Sequence, residues 1–349
     1  MTREPGDLYI KYTTGDDGSQ EIPAGAVFWA SPSIWLTDTS GASIPQAKVG
    51  VDNWVHVQVD SMNSEVRDNV KVQAWVCDYT PGFIGPDSAR PSSGGANGRT
   101  GSISTGVSKT APGVAKVVWR PLDTDLINGP NIDTGHLCVG ANVFVETLPA
   151  PEGARLSSGK LDVISNRHHG WLNITVVRNS PRIAPLAFRL TNPGTEPERF
   201  VLRAWELDGE SAMGQVEQEH LLMAGFVDLT DCGPEPPLVP AACQREPHER
   251  TRLAKGGRLV LRGLPEPVPL RPAESEARFE IRTAAEGCDP TTVEVDIRPG
   301  QHVPALFVVN SEGEPGEVHT FDIVQETQDG VVIGGARVIT VDVPEWHCC

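Results

Sequence analysis

Runs in which apolar and polar residues alternate one for one, each cut short by glycine or proline, restrict this chain most. Trp54-Val55-His56-Val57-Gln58-Val59 repeats with a period of two. So does Val70 to Cys77, where Val70, Val72, Ala74 and Val76 fall to one side and Lys71, Gln73, Trp75 and Cys77 to the other. That period is the side-chain repeat of a strand with one buried face, and helical packing does not tolerate it. Val114 to Trp119 and Leu137 to Val145 continue the pattern, preceded by shorter β-rich runs at Ala26 to Trp29 and Ile34 to Leu36. The 35 glycines and 30 prolines make up about a fifth of the 349 residues, against ~12% in average chains. Such an excess suits short strands joined by many turns.

The length exceeds one ordinary sandwich and points to two or three domains. Residues 1–150 read as the first, with 81–113, rich in Gly, Ser and Pro, as one long exposed loop. Residues 151–160 read as a short linker, and 161–349 as a second sandwich. Its strands are expected from Trp171 to Val177, Leu186 to Leu190, Phe200 to Leu207, Arg258 to Leu261, Ala277 to Arg282, Thr292 to Ile297 and Ala305 to Val309. A closing hairpin, Val318 to Val324 and Val331 to Val341, turns at Gln328-Asp329-Gly330. The one good helix pattern, over 209–225, puts Met213, Val216, His220 and Met223 on one face. With the Pro-rich stretch that follows, it suggests an insertion at about 209–256. The fold class is therefore all-β, two immunoglobulin-like β-sandwiches in tandem.

Several landmarks carry a resemblance. In the first domain they are Asp7-Leu8-Tyr9-Ile10, Ser31-Pro32-Ser33-Ile34-Trp35, the Asn53-to-Val59 strand, Trp119-Arg120-Pro121 and Gly135-His136-Leu137-Cys138. In the second they are Ile297-Arg298-Pro299-Gly300-Gln301 and the Gly316-to-Val341 hairpin with Gly334-Gly335. Together they resemble bacterial immunoglobulin-like modules of the cell-adhesion-related (CARDB-like) type. The resemblance covers about half of the chain. It implies tandem sandwiches of the kind found on adhesins, secreted hydrolases and tail or injection machinery, and it implies no activity.

Charge narrows the partners. A net charge of −17 with scattered Lys and Arg argues against nucleic acid, which demands a concentrated basic face. No apolar run reaches the ~18–20 residues of a membrane span, and Met1 to Asp7 lacks the apolar core of a secretory signal. The expectation is a cytoplasmic chain or part of a cytoplasmically assembled particle, with an extracellular site as the alternative.

Candidate chemistry is sparse. Asp16-Asp17-Gly18 offers hard oxygen ligands that could hold calcium with Asp7 or Glu21, and the same residues suit any turn. The pair His168-His169, expected in a loop before a strand with an exposed or interface role, and His347-Cys348-Cys349 are candidate zinc ligands, although neither C-x₂-C nor H-E-x-x-H occurs. His136 near Cys138 could suggest an activated thiol, but i and i+2 on a strand stand ~6–7 Å apart. Gly94-Gly95-Ala96-Asn97-Gly98 lacks the Lys-Ser/Thr of a phosphate loop. Seven cysteines leave at least one thiol over; Cys77 with Cys138 and Cys232 with Cys243 are possible disulfides, and Cys348 and Cys349 could cross-link subunits. Five tryptophans fall in the first domain: Trp75 and Trp119 are expected in the core, and Trp29 and Trp35 either staple the N-terminal segment onto the sandwich or serve as candidate interface anchors. No catalytic residue and no cofactor is singled out. The expected function is a non-enzymatic structural or interaction protein, a subunit of a self-associating or multi-subunit assembly. A carbohydrate- or surface-binding accessory module is the alternative, and a metal-dependent enzyme the third.

Overall fold

The computed structural model describes residues 6–23, 26–44, 50–78, 80–122, 137–146, 153–179, 183–192, 194–207, 258–262, 291–299, 301–310 and 318–342. The helix pattern and insertion at 209–256, His136, Cys232, Cys243, His347, Cys348 and Cys349 lie outside the described residues, as does the strand expected at 277–282. The first eight strands are β1 (Leu8–Tyr9), β2 (Ile34–Thr37), β3 (Asn53–Ser61), β4 (Val70–Asp78), β5 (Arg99–Ser102), β6 (Gly113–Trp119), β7 (Leu137–Val145) and β8 (His169–Leu172). The next eight are β9 (Ile174–Asn179), β10 (Ile183–Thr191), β11 (Glu198–Glu206), β12 (Arg258–Arg262), β13 (Thr291–Ile297), β14 (His302–Asn310), β15 (Val318–Thr327) and β16 (Val332–Asp342).

Two antiparallel sheets make the first sandwich. In one, β3 is flanked by β1 and β2 on one edge and by β6 on the other. The other has the order β5-β4-β7-β8. The alternation in the sequence decides the packing: Val55, Val57 and Val59 of β3 and Val70, Val72, Ala74 and Val76 of β4 share one buried cluster with Val139, Ala141 and Val143 of β7. Trp119 lies in that cluster, as expected. Trp75 is fully buried on the opposite face of β4, beneath the chain of residues 84–97, where its indole N–H donates to the Ala96 carbonyl at 3.0 Å.

Residues 81–113 are therefore not an exposed loop. They form three short 3-10 turns, the edge strand β5 and part of β6, and they bury Phe83, Ile84, Ile103 and Val107. Gln73 fastens this cover. Its amide nitrogen donates to the Asn97 and Leu156 carbonyls at 2.9 Å each, and its oxygen accepts from Leu156 N at 2.8 Å and from Asn142 Nδ2 at 3.3 Å. The described part of the expected linker, 153–160, is thus packed on the first sandwich, because a buried amide must find all its partners. The strand expected at 26–29 is replaced by irregular chain with a single bridge, Ala30 to Leu172.

The second sandwich packs the sheet β10-β14-β12 against the five-stranded sheet β13-β11-β15-β16-β9. Among the described residues its pairings are antiparallel except β9 with β16. Phe200, Leu202, Val295, Ile297, Phe321, Ile323, Ala336 and Val338 fill its centre. Asp322 and Arg337 sit opposite each other on β15 and β16 and form a bidentate ion pair at 2.8 and 2.7 Å, with Asp322 1% exposed. The architecture is all-β, two immunoglobulin-like sandwiches in tandem.

The division between them falls elsewhere than expected. Residues 161–172 do not open the second sandwich: Leu161, Val163 and Trp171 are buried on the first, and β8 pairs with β7. The run Trp171 to Val177, which reads as one strand, is split at Asn173. On one side of that residue the chain completes a sheet of the first sandwich, and on the other it enters the second alongside β16. Asn173 N donates to the Trp29 carbonyl at 2.7 Å, and its own carbonyl accepts from Arg337 N at 2.9 Å. Its side-chain nitrogen donates to the carbonyls of Thr80 and Gly335, both at 2.8 Å. Beside it, β16 threads between two indoles. A Cβ on Gly334 would stand 2.3 Å from the Trp171 ring, and one on Gly335 would stand 2.5 Å from Trp29.

Replacing Asn173 by Ala removes two buried hydrogen bonds and is expected to lower stability by about 2–4 kcal/mol, read as a shift in the urea midpoint; a change within error would show that the junction does not depend on it. Asp322→Ala leaves a buried guanidinium without its carboxylate and should cost about 3–5 kcal/mol. The double change Asp322→Leu with Arg337→Met should recover most of that loss in the same unfolding experiment.

Candidate functional site

The sequence candidates for metal binding are dispersed and engaged locally. Asp16 is buried and accepts from Tyr12 N at 3.2 Å and Gly18 N at 2.9 Å; Asp17 accepts from the backbone N–H and the hydroxyl of Ser19. These are the self-contained turns that Asp favours. Asp7 turns away to Arg67 and Asn63, and the Arg67 guanidinium holds its carboxyl below the usual carboxylate range. Among the described residues no three His, Cys, Asp or Glu side chains gather as a metal-binding group.

His168 and His169 are buried rather than in an exposed loop. The Nδ1 of His168 meets Asn166 Oδ1 at 3.1 Å, and that of His169 accepts from Asp162 N at 2.8 Å, so the pair organises the turn that leads into β8. Cys77 and Cys138 face each other in register across β4 and β7, buried and in the dithiol form. Trp29, for which a role as partner anchor was the alternative to an intramolecular staple, is 2% exposed and packs edge-on against Phe28 at the junction within the chain.

Trp35 behaves differently. Val55, Val57 and Val59 take the inner side of β3, so Trp54, His56, Gln58 and Asp60 take the outer. The ladder places Trp35 opposite His56 and Thr37 opposite Trp54 on one edge. On the other it places Val118, Lys116 and Val114 opposite Trp54, His56 and Gln58. Trp35 and Trp54 remain half-buried, and Val114 and Lys116 are exposed. Trp35 stacks on His56 with ring centroids 5.1 Å apart and planes 8° from parallel. His56 is fixed from the other end by Thr37, whose hydroxyl lies 2.8 Å from Nε2. Gln58 donates to Asp60 at 3.0 Å, and Asp60 also pairs with Lys11 at 3.3 Å.

The outer face of β2, β3 and β6 is thus an aromatic platform with a polar margin. Preset indoles on such a platform cost little entropy when a partner covers them. Trp54 and His56 were not singled out as contact residues from the sequence. Their signal was present, because both stand on the polar phase of an alternating strand, where a bulky aromatic ring has no core to fill.

Burial first, and the neighbouring Lys116 charge second, push the His56 pKa down from its ordinary value of 6.5. A histidine whose pKa is lower folded than unfolded leaves stability intact above the unfolded pKa, and stability falls as pH drops through it. The folded protein should therefore melt at progressively lower temperature as the pH falls below about 6.5. His56→Gln should flatten that decline; equal slopes for the two proteins would show that another group governs it.

No protein-family model matches the chain, and no curated protein does. Among solved structures, the collagen adhesin (CNA) from S. aureus aligns over 89% of this chain and 94% of its own, with 6% identity and a TM-score of 0.22. The protein described as CBD12 from CALX1.2 aligns over 83% of this chain and 93% of its own, with 8% identity and a TM-score of 0.19. Likeness at that level leaves the function to be argued from this chain's own residues.

Proposed function

We propose that the chain is a non-enzymatic interaction protein, a subunit of a larger bacterial or phage-like assembly, and that the outer face of β2, β3 and β6 is its contact surface. The observation that carries this reading is the Trp35–His56 stack beside Trp54, held on a regular sheet instead of a loop. Aromatic side chains at the centre of a patch with a polar rim are the usual energetic anchors of protein interfaces. The junction at Asn173 supports the role, since it gives the contact face a second sandwich held at close quarters. The resemblance to cell-adhesion-related modules fits the same reading. Self-association is the simplest partner choice, and the strong acidity of the rest of the chain favours contact through a face whose carboxylate Asp60 is already paired with Lys11, with Asp52 at its edge paired with Arg120.

Half-buried indoles on a sheet can also stack on sugar rings, with Gln58, Asp60 and Lys116 to meet hydroxyls, so a carbohydrate is the second reading. It is carried by the near-parallel Trp35 and His56 planes.

Analytical ultracentrifugation of the full chain over a wide concentration range should reveal oligomers. Trp35→Ala with Trp54→Ala should weaken them by at least about 2 kcal/mol, the scale of a hot-spot loss. A chain that stays monomeric at high concentration and gains no glycan binding on an array removes both readings. Glycan binding that disappears in the same double variant selects the second.

A further inference from the structure

The thiols of Cys77 and Cys138 hold the segment on which the second sandwich rests. On β4, Val70 O accepts from Ile103 N and Val76 O accepts from Arg90 N, so the even-numbered residues direct their peptide groups away from β7. Cys77 and Cys138 are therefore a hydrogen-bonded cross-strand pair, with Cα atoms about 5.5 Å apart, and that spacing lies within the range a disulfide spans. Both side chains stand on the outer face of the sheet, roofed by residues 80–85. Cys77 Sγ donates to the Gly85 carbonyl at 3.6 Å. Cys138 Sγ donates to the Thr80 carbonyl at 3.7 Å and accepts from Thr80 N at 3.4 Å. The same roof meets the second sandwich. Thr80 O also accepts from Asn173, and Pro81 and Gly82 lie against Gly334, with Gly82 against Gln325.

We propose that Cys77 and Cys138 form a reversible dithiol–disulfide couple that sets how tightly the two sandwiches are joined. The oxidant is a small-molecule disulfide of the glutathione type. One cysteine thiolate attacks it, forming a mixed disulfide and releasing one thiol. The second cysteine then attacks the protein-side sulfur of the mixed disulfide, forming the 77–138 bond and releasing the other thiol. Two cysteine S–H groups are oxidised, and their two protons and two electrons end on the two released thiols. The new bond withdraws the S–H donors from Gly85 O and Thr80 O, so the roof loses a hydrogen bond at each end and the acceptor of Asn173 is held less firmly. Both sulfurs are buried, so exchange waits on the roof opening, and the couple senses a sustained redox poise instead of a brief pulse.

The test uses the full chain equilibrated in mixtures of reduced and oxidised glutathione, trapped by alkylation and mapped by peptide mass spectrometry. Amide hydrogen exchange is read in parallel. The expected result is a 77–138 linkage that forms without denaturant and reverts with reductant. It should be accompanied by about ten-fold or greater acceleration of exchange at the Asn173 and Arg337 amides. The double variant Cys77→Ser with Cys138→Ser keeps hydroxyl donors and should exchange like the reduced protein in every mixture. No 77–138 linkage in the folded chain overturns the proposal, and so does a linkage that leaves exchange at the junction unchanged. The wild-type comparison alone decides the matter if the double variant does not fold.

Discussion

Asn173 is where the two sandwiches become one object. Its backbone is committed on both sides, to Trp29 and to Arg337, and its side chain binds one carbonyl from each half. Every group at that point is taken out of water, so each hydrogen bond must be made inside the protein or its loss is felt in full. The glycines of β16 belong to the same constraint. Only residues without a Cβ let the strand pass between Trp171 and Trp29 while it keeps its ladder with β15.

The periodic part of this architecture was legible in the sequence. Val55, Val57 and Val59, and Val70, Val72, Ala74 and Val76, took the faces that their spacing assigned, because a period of two leaves a strand no choice of side. The closing hairpin turned where Gln328-Asp329-Gly330 stands. The covers and boundaries were hidden. Residues 81–113 carry turn residues and no period, which reads as solvent-exposed chain. Their burial depends on Gln73, Trp75 and Cys77 offering them hydrogen bonds and surface from the far face of β4. The continuous strand-forming run from Trp171 to Val177 gave no sign that two sheets share it, since strand propensity does not say which neighbour a strand will pair with.

The candidate site was legible in half. Trp35 could be named from its type alone. Its partners could not, because the stack with His56 requires knowing that β2 and β3 are adjacent and in which register. Trp29 left two readings open for a related reason: a tryptophan near an N-terminus suits an external anchor as well as it suits an internal seam. The histidine pair was read as exposed since nothing in Arg167-His168-His169 reveals that residues 161–166 fold back and close over it.

The position of β8 also governs how such a chain can be dissected. A cut between residues 150 and 160, the obvious place by composition, would strip the outer strand from the β5-β4-β7 sheet. The bare edge of β7 would be left ready to pair with any passing strand. The amino-terminal fragment would lose Trp171 from its packing, and the carboxy-terminal one would carry that indole with no pocket to receive it. Fragments divided there would report on aggregation rather than on either sandwich.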